Sequence, residues 1–219
     1  MGRIFELEVW SDFACFTRPE MKVERVSYDV PTPSSIRAIF EAIYWKPAIR
    51  WEALSAEVLA PIRFASFRRN EVGAVVPMGS VKSVMKSGSG SLGLYVEDER
   101  QQRASLLLRD VRYRLRAQML IDDERLDRSP AVKHYEMFER RAAKGQCFNQ
   151  PYFGTREFSC AFSPERTEAL PIGETRDLGY MLYDLDFSDP ADPQPMFFRA
   201  RLENGVVAYP PRDSAEVMR

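Results

Sequence analysis

Leu106-Leu107-Leu108-Arg109-Asp110-Val111-Arg112-Tyr113-Arg114-Leu115-Arg116-Ala117-Gln118-Met119-Leu120-Ile121 is the stretch that settles the fold class. Val111, Tyr113, Leu115, Ala117, Met119 and Ile121 share one parity; Arg112, Arg114, Arg116 and Gln118 share the other. A period of two is that of a strand with one face in a core and one facing outward. Side chains on a common face repeat about every 6.6–7 Å, close to the phosphate spacing of an extended single strand. The arginines therefore read as a line of charge able to track phosphates. The competing reading is a solvent-facing sheet surface with carboxylate partners on neighbouring strands.

Upstream, Gly73 to Gly93 is rich in Gly, Ser and Lys and reads as a mobile loop or loose hairpin tip. Residues 57–69 read as β, with Ile62 and Phe64 on one face and Arg63, Ala65 and Phe67 on the other. Thr32-Pro33-Ser34 predicts a helix start, with Thr32 as N-cap and Pro33 at the first helical position. Ile36, Ile39, Phe40 and Ile43 form its apolar stripe; Arg37, Glu41 and Tyr44 fall on the flank, and Lys46-Pro47 ends it. Ile4 to Trp10 reads as a strand, and residues 11–31 as irregular.

Downstream, a helix runs from Ser129-Pro130 to Gly145. Ala131, Tyr135, Phe138 and Ala142 make its buried stripe, with His134 at the border. β-like runs follow at Tyr152–Phe162, Asp177–Phe187 and Met196–Val207. To residue 162 the order is β-α-β-β-α-β, the split βαβ order that many RNA-binding modules share. The expectation is an α+β protein: a ferredoxin-like (RRM-like) βαββαβ domain over 1–165, then a small C-terminal antiparallel β domain over 166–219.

The chain has 219 residues, 31 Lys+Arg against 32 Asp+Glu, a net charge of −1 and a pI near 6.0. Apolar residues make up 45% and charged residues 29%, a globular balance that excludes disorder, a collagen-like fibre and a membrane bundle. Near-neutral charge also excludes a uniformly basic nucleic-acid binder, so any such site is a local patch. Three cysteines without CxxC spacing and one histidine supply neither a disulfide framework nor a Cys/His metal site. The N-terminus lacks the apolar run of a signal peptide, and a reduced, cytoplasmic setting without a membrane partner is expected.

His134 is the one side chain whose ordinary pKa lies near neutrality. Its place in the second turn of a helix, beside Lys133, predicts a neutral imidazole able to accept a proton. The competing reading is a half-buried helix residue that packs and hydrogen-bonds. No GxxxxGK[ST] loop, GxGxxG after a strand, HExxH or G-x-S-x-G elbow is present. The carboxylates lie among basic residues without a metal-ligand pattern, which speaks against a two-metal nuclease. Chemistry needing neither metal nor protein nucleophile remains, and RNA carries its own nucleophile, the 2′-hydroxyl.

Further motifs stand in series: Val26-Ser27-Tyr28-Asp29-Val30-Pro31-Thr32-Pro33-Ser34, Glu41-Ala42-Ile43-Tyr44-Trp45-Lys46-Pro47, Lys133-His134, Phe153-Gly154-Thr155-Arg156-Glu157-Phe158 and Asp177-Leu178-Gly179-Tyr180-Met181. From about residue 4 to the C-terminus this series resembles the CRISPR-associated "Cas five d" family of subtype I-C systems, in the RAMP superfamily. The resemblance implies a ferredoxin-like domain with a small C-terminal β-sheet. It also implies an endoribonuclease that cuts precursor CRISPR RNA in each repeat, just 3′ of the stem-loop, without metal or cofactor. Such a protein then stays in the interference complex with its backbone and large subunits. The catalytic tyrosine falls on Tyr44 and the Lys-His pair on Lys133-His134. Lys46, Arg68, Arg69, Lys82, Lys86, Arg103, Arg112, Arg114 and Arg116 are the expected RNA-binding set. Whether double-stranded DNA also binds stays open, as does a non-catalytic role holding the 5′ handle of the guide RNA.

Overall fold

The computed structural model describes residues 2–121 and 129–219. The long arginine-bearing run is strand β4 (Arg100–Ile121), flanked along its length by β1 (Arg3–Ala14). Its other edge is shared. β2 (Ile49–Val58) pairs with Tyr113–Ile121, and β3 (Phe64–Val72) pairs with Arg100–Leu108. Asp110, at φ +54°, lies where one partner gives way to the other. β5 (Ala161–Ser163) extends the sheet beyond β1, giving the antiparallel order β5-β1-β4-β2-β8. The last member, β8 (Val206–Ala208), comes from the C-terminal segment and pairs with β2. β6 (Arg176–Asp186), β7 (Gln194–Leu202) and β9 (Val217–Met218) form a second antiparallel sheet. One cluster of buried apolar side chains includes residues of both sheets.

Helices α1 (Pro33–Ile43) and α3 (Ala131–Ala143) pack on one face of the larger sheet. Thr32 caps α1 as the sequence predicts, its hydroxyl accepting from the Ser35 N–H at 3.2 Å. Ile36, Ile39, Phe40 and Ile43 are buried. Phe40 stacks on Phe138 at 5.6 Å between centroids, and Trp51 of β2 meets both rings at 4.8–4.9 Å.

Several segments depart from the sequence reading. Gly73–Gly93 is not only loop: Met78–Ser87 forms helix α2. No residue of α2 is buried, so local terms account for it. Gly88 closes it in the left-handed conformation at φ +65°, its N–H bonding Val84 O at 2.9 Å. The β signal over 57–69 belongs to two strands, because β2 ends at Val58 and β3 starts at Phe64, with Pro61 between.

The run 152–162 is mostly a tight loop. The Phe153 N–H bonds Phe158 O at 2.8 Å, and only Ala161–Ser163 is strand. Gly154 explains the turn. It sits at φ +79°, and a Cβ there would lie 1.9 Å from Cys15 O. The loop is thereby held against the end of β1, where the Cys15 N–H bonds Phe153 O at 3.0 Å. Finally, His134 does not border the stripe of α3. With Phe138 and Ala142 it is the stripe. Tyr44 likewise leaves the flank of α1 and is buried.

Candidate active site

The end of α1 is built to turn one side chain inward. Tyr44 still bonds Phe40 O through its N–H at 3.0 Å, but its backbone is extended, at φ −153° and ψ 120°. Trp51 Nε1 donates to Tyr44 O at 3.0 Å, and Arg141 Nη1 donates to Ile43 O at 2.9 Å. These bonds satisfy carbonyls that a helix C-terminus leaves without partners. The Arg141 guanidinium also lies 5.2 Å from the centroid of the Tyr44 ring.

The aromatic stack sets the register of the two helices. Tyr44 stands four residues after Phe40 and His134 four before Phe138, so α1 and α3 run antiparallel. One turn beyond the stack their side chains meet again. There the Tyr44 hydroxyl lies 2.9 Å from His134 Nδ1, both residues being about 98% buried. A phenol and an imidazole at this distance are hydrogen-bonded, and the ring tautomer decides which of them donates.

Lys133 does not join this contact. One position back on α3 is a rotation of about 100°, and its ammonium donates to Ser129 Oγ at 2.9 Å on the exposed side. Lys46 is exposed just beyond Tyr44.

The remaining basic positions lie elsewhere. Phe5 and Ala117 are register partners, and Phe5 packs on Phe138, so this parity of β4 faces the helices. Arg112, Arg114 and Arg116 therefore project from the opposite face of the sheet. They are not equivalent there. Arg114 is buried: its Nη1 meets Glu57 at 2.5 Å, Nη2 lies 3.5 Å from Glu8, and Nη2 donates to the carbonyls of Thr167 and Ala169 at 3.2 and 3.1 Å. Arg112 is half-buried, bonded to Glu8 at 2.6 Å and set over the Trp10 ring. Arg116 is exposed and makes no ion pair among the described residues.

Glu8 is the hub of this face. Burial opposes its charge, but hydrogen bonds from Thr167 and Arg112 outweigh it and hold the carboxyl below its usual range. On the β3–β4 hairpin, Arg69 and Arg103 are register partners. Arg69 pairs with Glu157 and Arg103 with Glu71, and Arg25 bridges both acids. Arg68 is exposed on β3, and Lys82 and Lys86 are exposed on α2. Among the described residues Lys46, Arg68, Lys82, Lys86 and Arg116 carry no ion pair, which leaves their charge available to phosphate.

Sequence reasoning did not single out Arg141 or Trp51 at this site. Arg141 reaches Ile43 across 98 residues, and Trp51 reaches Tyr44 only because the chain turns back from α1 into β2; no local pattern signals either contact.

The family model described as CRISPR-associated protein (Cas_Cas5), in its Cas5d form, matches residues 4–210. The CRISPR pre-crRNA endoribonuclease Cas5d of Mannheimia succiniciproducens is 48% identical over 227 residues, covering 100% of both chains. The protein of the same name from Thermus thermophilus is 41% identical over 236 residues, covering 100% of this chain and 96% of its own. A solved crystal structure of a CRISPR-associated protein is similar in fold, with a TM-score of 0.69 at 21% identity over 99% of this chain and 97% of that one. The match over nearly the whole length places the chain in the Cas5d family of CRISPR-associated proteins.

Proposed function

We propose that the protein is an endoribonuclease of precursor CRISPR RNA, the activity that both curated relatives carry in their names. The observation that carries the reading is the Tyr44–His134 contact at 2.9 Å. It joins the two side chains that the family resemblance marks as the catalytic tyrosine and histidine.

The cut falls in the repeat, 3′ of its stem-loop. The 2′-oxygen before the scissile phosphate attacks phosphorus and the bond to the 5′-oxygen breaks. The products are a 2′,3′-cyclic phosphate and a 5′-hydroxyl. The 2′-hydroxyl proton passes to the Tyr44–His134 pair, and a proton returns to the leaving 5′-oxygen. The imidazole is the natural acceptor, because a free phenol titrates near pH 10. Lys133 offsets charge on the phosphorane only if its ammonium leaves Ser129 and turns toward the pair. Lys46, Arg68, Lys82, Lys86 and Arg116 hold phosphates. Arg112, Arg69 and Arg103 join them only if they exchange carboxylate partners, and Arg114 serves to hold the sheet.

The strand order β5-β1-β4-β2, with α1 and α3 on one face, supports the ferredoxin-like reading of residues 1–165. The separate β6-β7-β9 sheet supports a small unit over 166–219, tied back through β8. After cutting, the protein stays with its product among the backbone and large subunits of a cytoplasmic interference complex.

One observation favours a second reading, a passive holder of the 5′ handle. Tyr44 and His134 are almost closed to solvent, so a ribose reaches them only if the covering side chains move. A denaturing gel separates the two. The proposed nuclease cuts hairpin repeat RNA in excess EDTA and fails when the ribose at the cut carries no 2′-hydroxyl. A protein that binds this RNA and leaves it whole is the holder, and cutting that survives the 2′-deoxy substitution rules out internal attack.

A further inference from the structure

Tyr44 is extended, so the next side chain points the other way. Trp45 is 51% exposed and lines a cleft of about 600 Å³ beside the C-terminal turn of α1. The same cleft is lined by Phe148, 82% exposed, and by Asn149 and Gln150 after it. This segment is anchored. The N–H groups of Phe148 and Asn149 both bond Ala42 O, at 2.7 and 3.2 Å. Gln150 Nε2 donates to Cys160 O at 2.9 Å, which fixes the amide and leaves its oxygen as an acceptor. Arg156 at the rim is exposed and has no ion pair among the described residues.

Two large aromatic faces held open to water, ringed by amides and a free guanidinium, suit a flat heteroaromatic ligand with hydrogen-bonding edges. Unpaired nucleobases are recognised in this way: stacked on aromatic rings and read along their edges. The cleft meets a second one of about 530 Å³ at Gln150 and Ser159, and Trp10 and Phe13 line the second. The aromatic surface thus continues from the end of α1 toward β1.

We propose that the Trp45–Phe148 cleft binds an unpaired nucleobase of the RNA, next to the nucleotide offered to Tyr44 and His134. Asn149, Gln150 and Arg156 read its edge. The identity of the strand rests on the proposed function, whereas the stacking site itself does not.

The test places 2-aminopurine at each unpaired position beside the stem of the repeat RNA, one at a time, and follows its emission on binding. Emission from one position is quenched by the wild-type protein. Phe148→Ala restores that emission and weakens binding about ten- to a hundredfold, while Phe148→Trp keeps the quench. Phe148 is too exposed for the change to disturb packing, and a hairpin without single-stranded flanks binds both proteins alike.

If no position responds to Phe148→Ala and affinity is unchanged, the inference is overturned and the cleft belongs to a protein neighbour. Cleavage is scored in parallel. A protein that shows the Phe148-dependent quench without cutting keeps the base site and loses the nuclease reading. One that cuts without the quench keeps the nuclease reading and loses the base site.

Discussion

The Tyr44 hydroxyl and His134 Nδ1 meet at 2.9 Å across 90 residues of chain, because two antiparallel helices are held in register by the stacking of Phe40 on Phe138. If the pair acts as one proton-transfer unit, its members are not independent. Tyr44→Phe and His134→Ala each lower single-turnover cleavage by about 10² to 10⁴. The double variant falls no further than the worse single one. Effects that multiply instead assign the two side chains separate roles.

The arginines of β4 separate by burial. Arg114→Ala leaves Glu57 without its guanidinium and the Thr167 and Ala169 carbonyls without their donor, while Glu8 keeps Arg112 and Thr167, and it costs about 3 kcal/mol or more in denaturant unfolding, with the fold's stability as the readout. Arg116→Ala leaves stability unchanged and lowers the slope of log affinity against log salt by about 0.7 for single-stranded RNA. Arg112→Ala shows a smaller share of each effect, since Glu8 already engages it. An Arg116 variant with an intact salt slope and altered sequence preference removes it from the phosphate-binding set.

Glu8 gives the protein an acid limit. Its carboxyl is held below the ordinary value of 4.5, so the unfolded chain takes up this proton first as pH falls. The stability that Glu8 contributes is complete above about pH 4.5 and is lost as pH drops through the lower folded value. Glu8→Gln costs about 3 kcal/mol at pH 7 and flattens the dependence of unfolding free energy on pH below 4.5. Denaturant titrations between about pH 3 and 7 measure both effects; an unchanged acid slope in the variant removes Glu8 as their source.

Gly154 tests how the 152–159 loop is held. At φ +79°, with Cys15 O inside the space of a Cβ, Gly154→Ala cannot be accommodated without moving the loop from β1. Unfolding free energy falls by about 2 kcal/mol or more. Hydrogen exchange of the Cys15 and Phe153 amides, which pair this loop with β1 and with Phe158, accelerates ahead of the rest of the sheet.

What could be read from the chain was whatever repeats at short range. The alternation from Val111 to Met119 gave β4 and its buried face, and every one of those odd-numbered residues is buried. Thr32-Pro33 located the start of α1, and its stripe follows. The same rule overlooked Ile49–Val58, although Ile49, Trp51 and Ala53 alternate there. It found helix α2 no better, because a helix without a buried face leaves only weak capping signals. The motif series pointed to the family, and two residues of that series, Tyr44 and His134, lie 2.9 Å apart.

Parity could not tell which arginine is free. Arg112, Arg114 and Arg116 have the same spacing, yet only tertiary packing brings Glu57 and the carbonyls of Thr167 and Ala169 around Arg114 and leaves Arg116 in solvent. Nor could local pattern show that these arginines lie across the sheet from Tyr44 and His134, or that Phe148 and Trp45 line one cleft. Periodicity reports which way a side chain points from its own element. Which partner waits there depends on contacts between distant segments, and those exist only once the chain has folded.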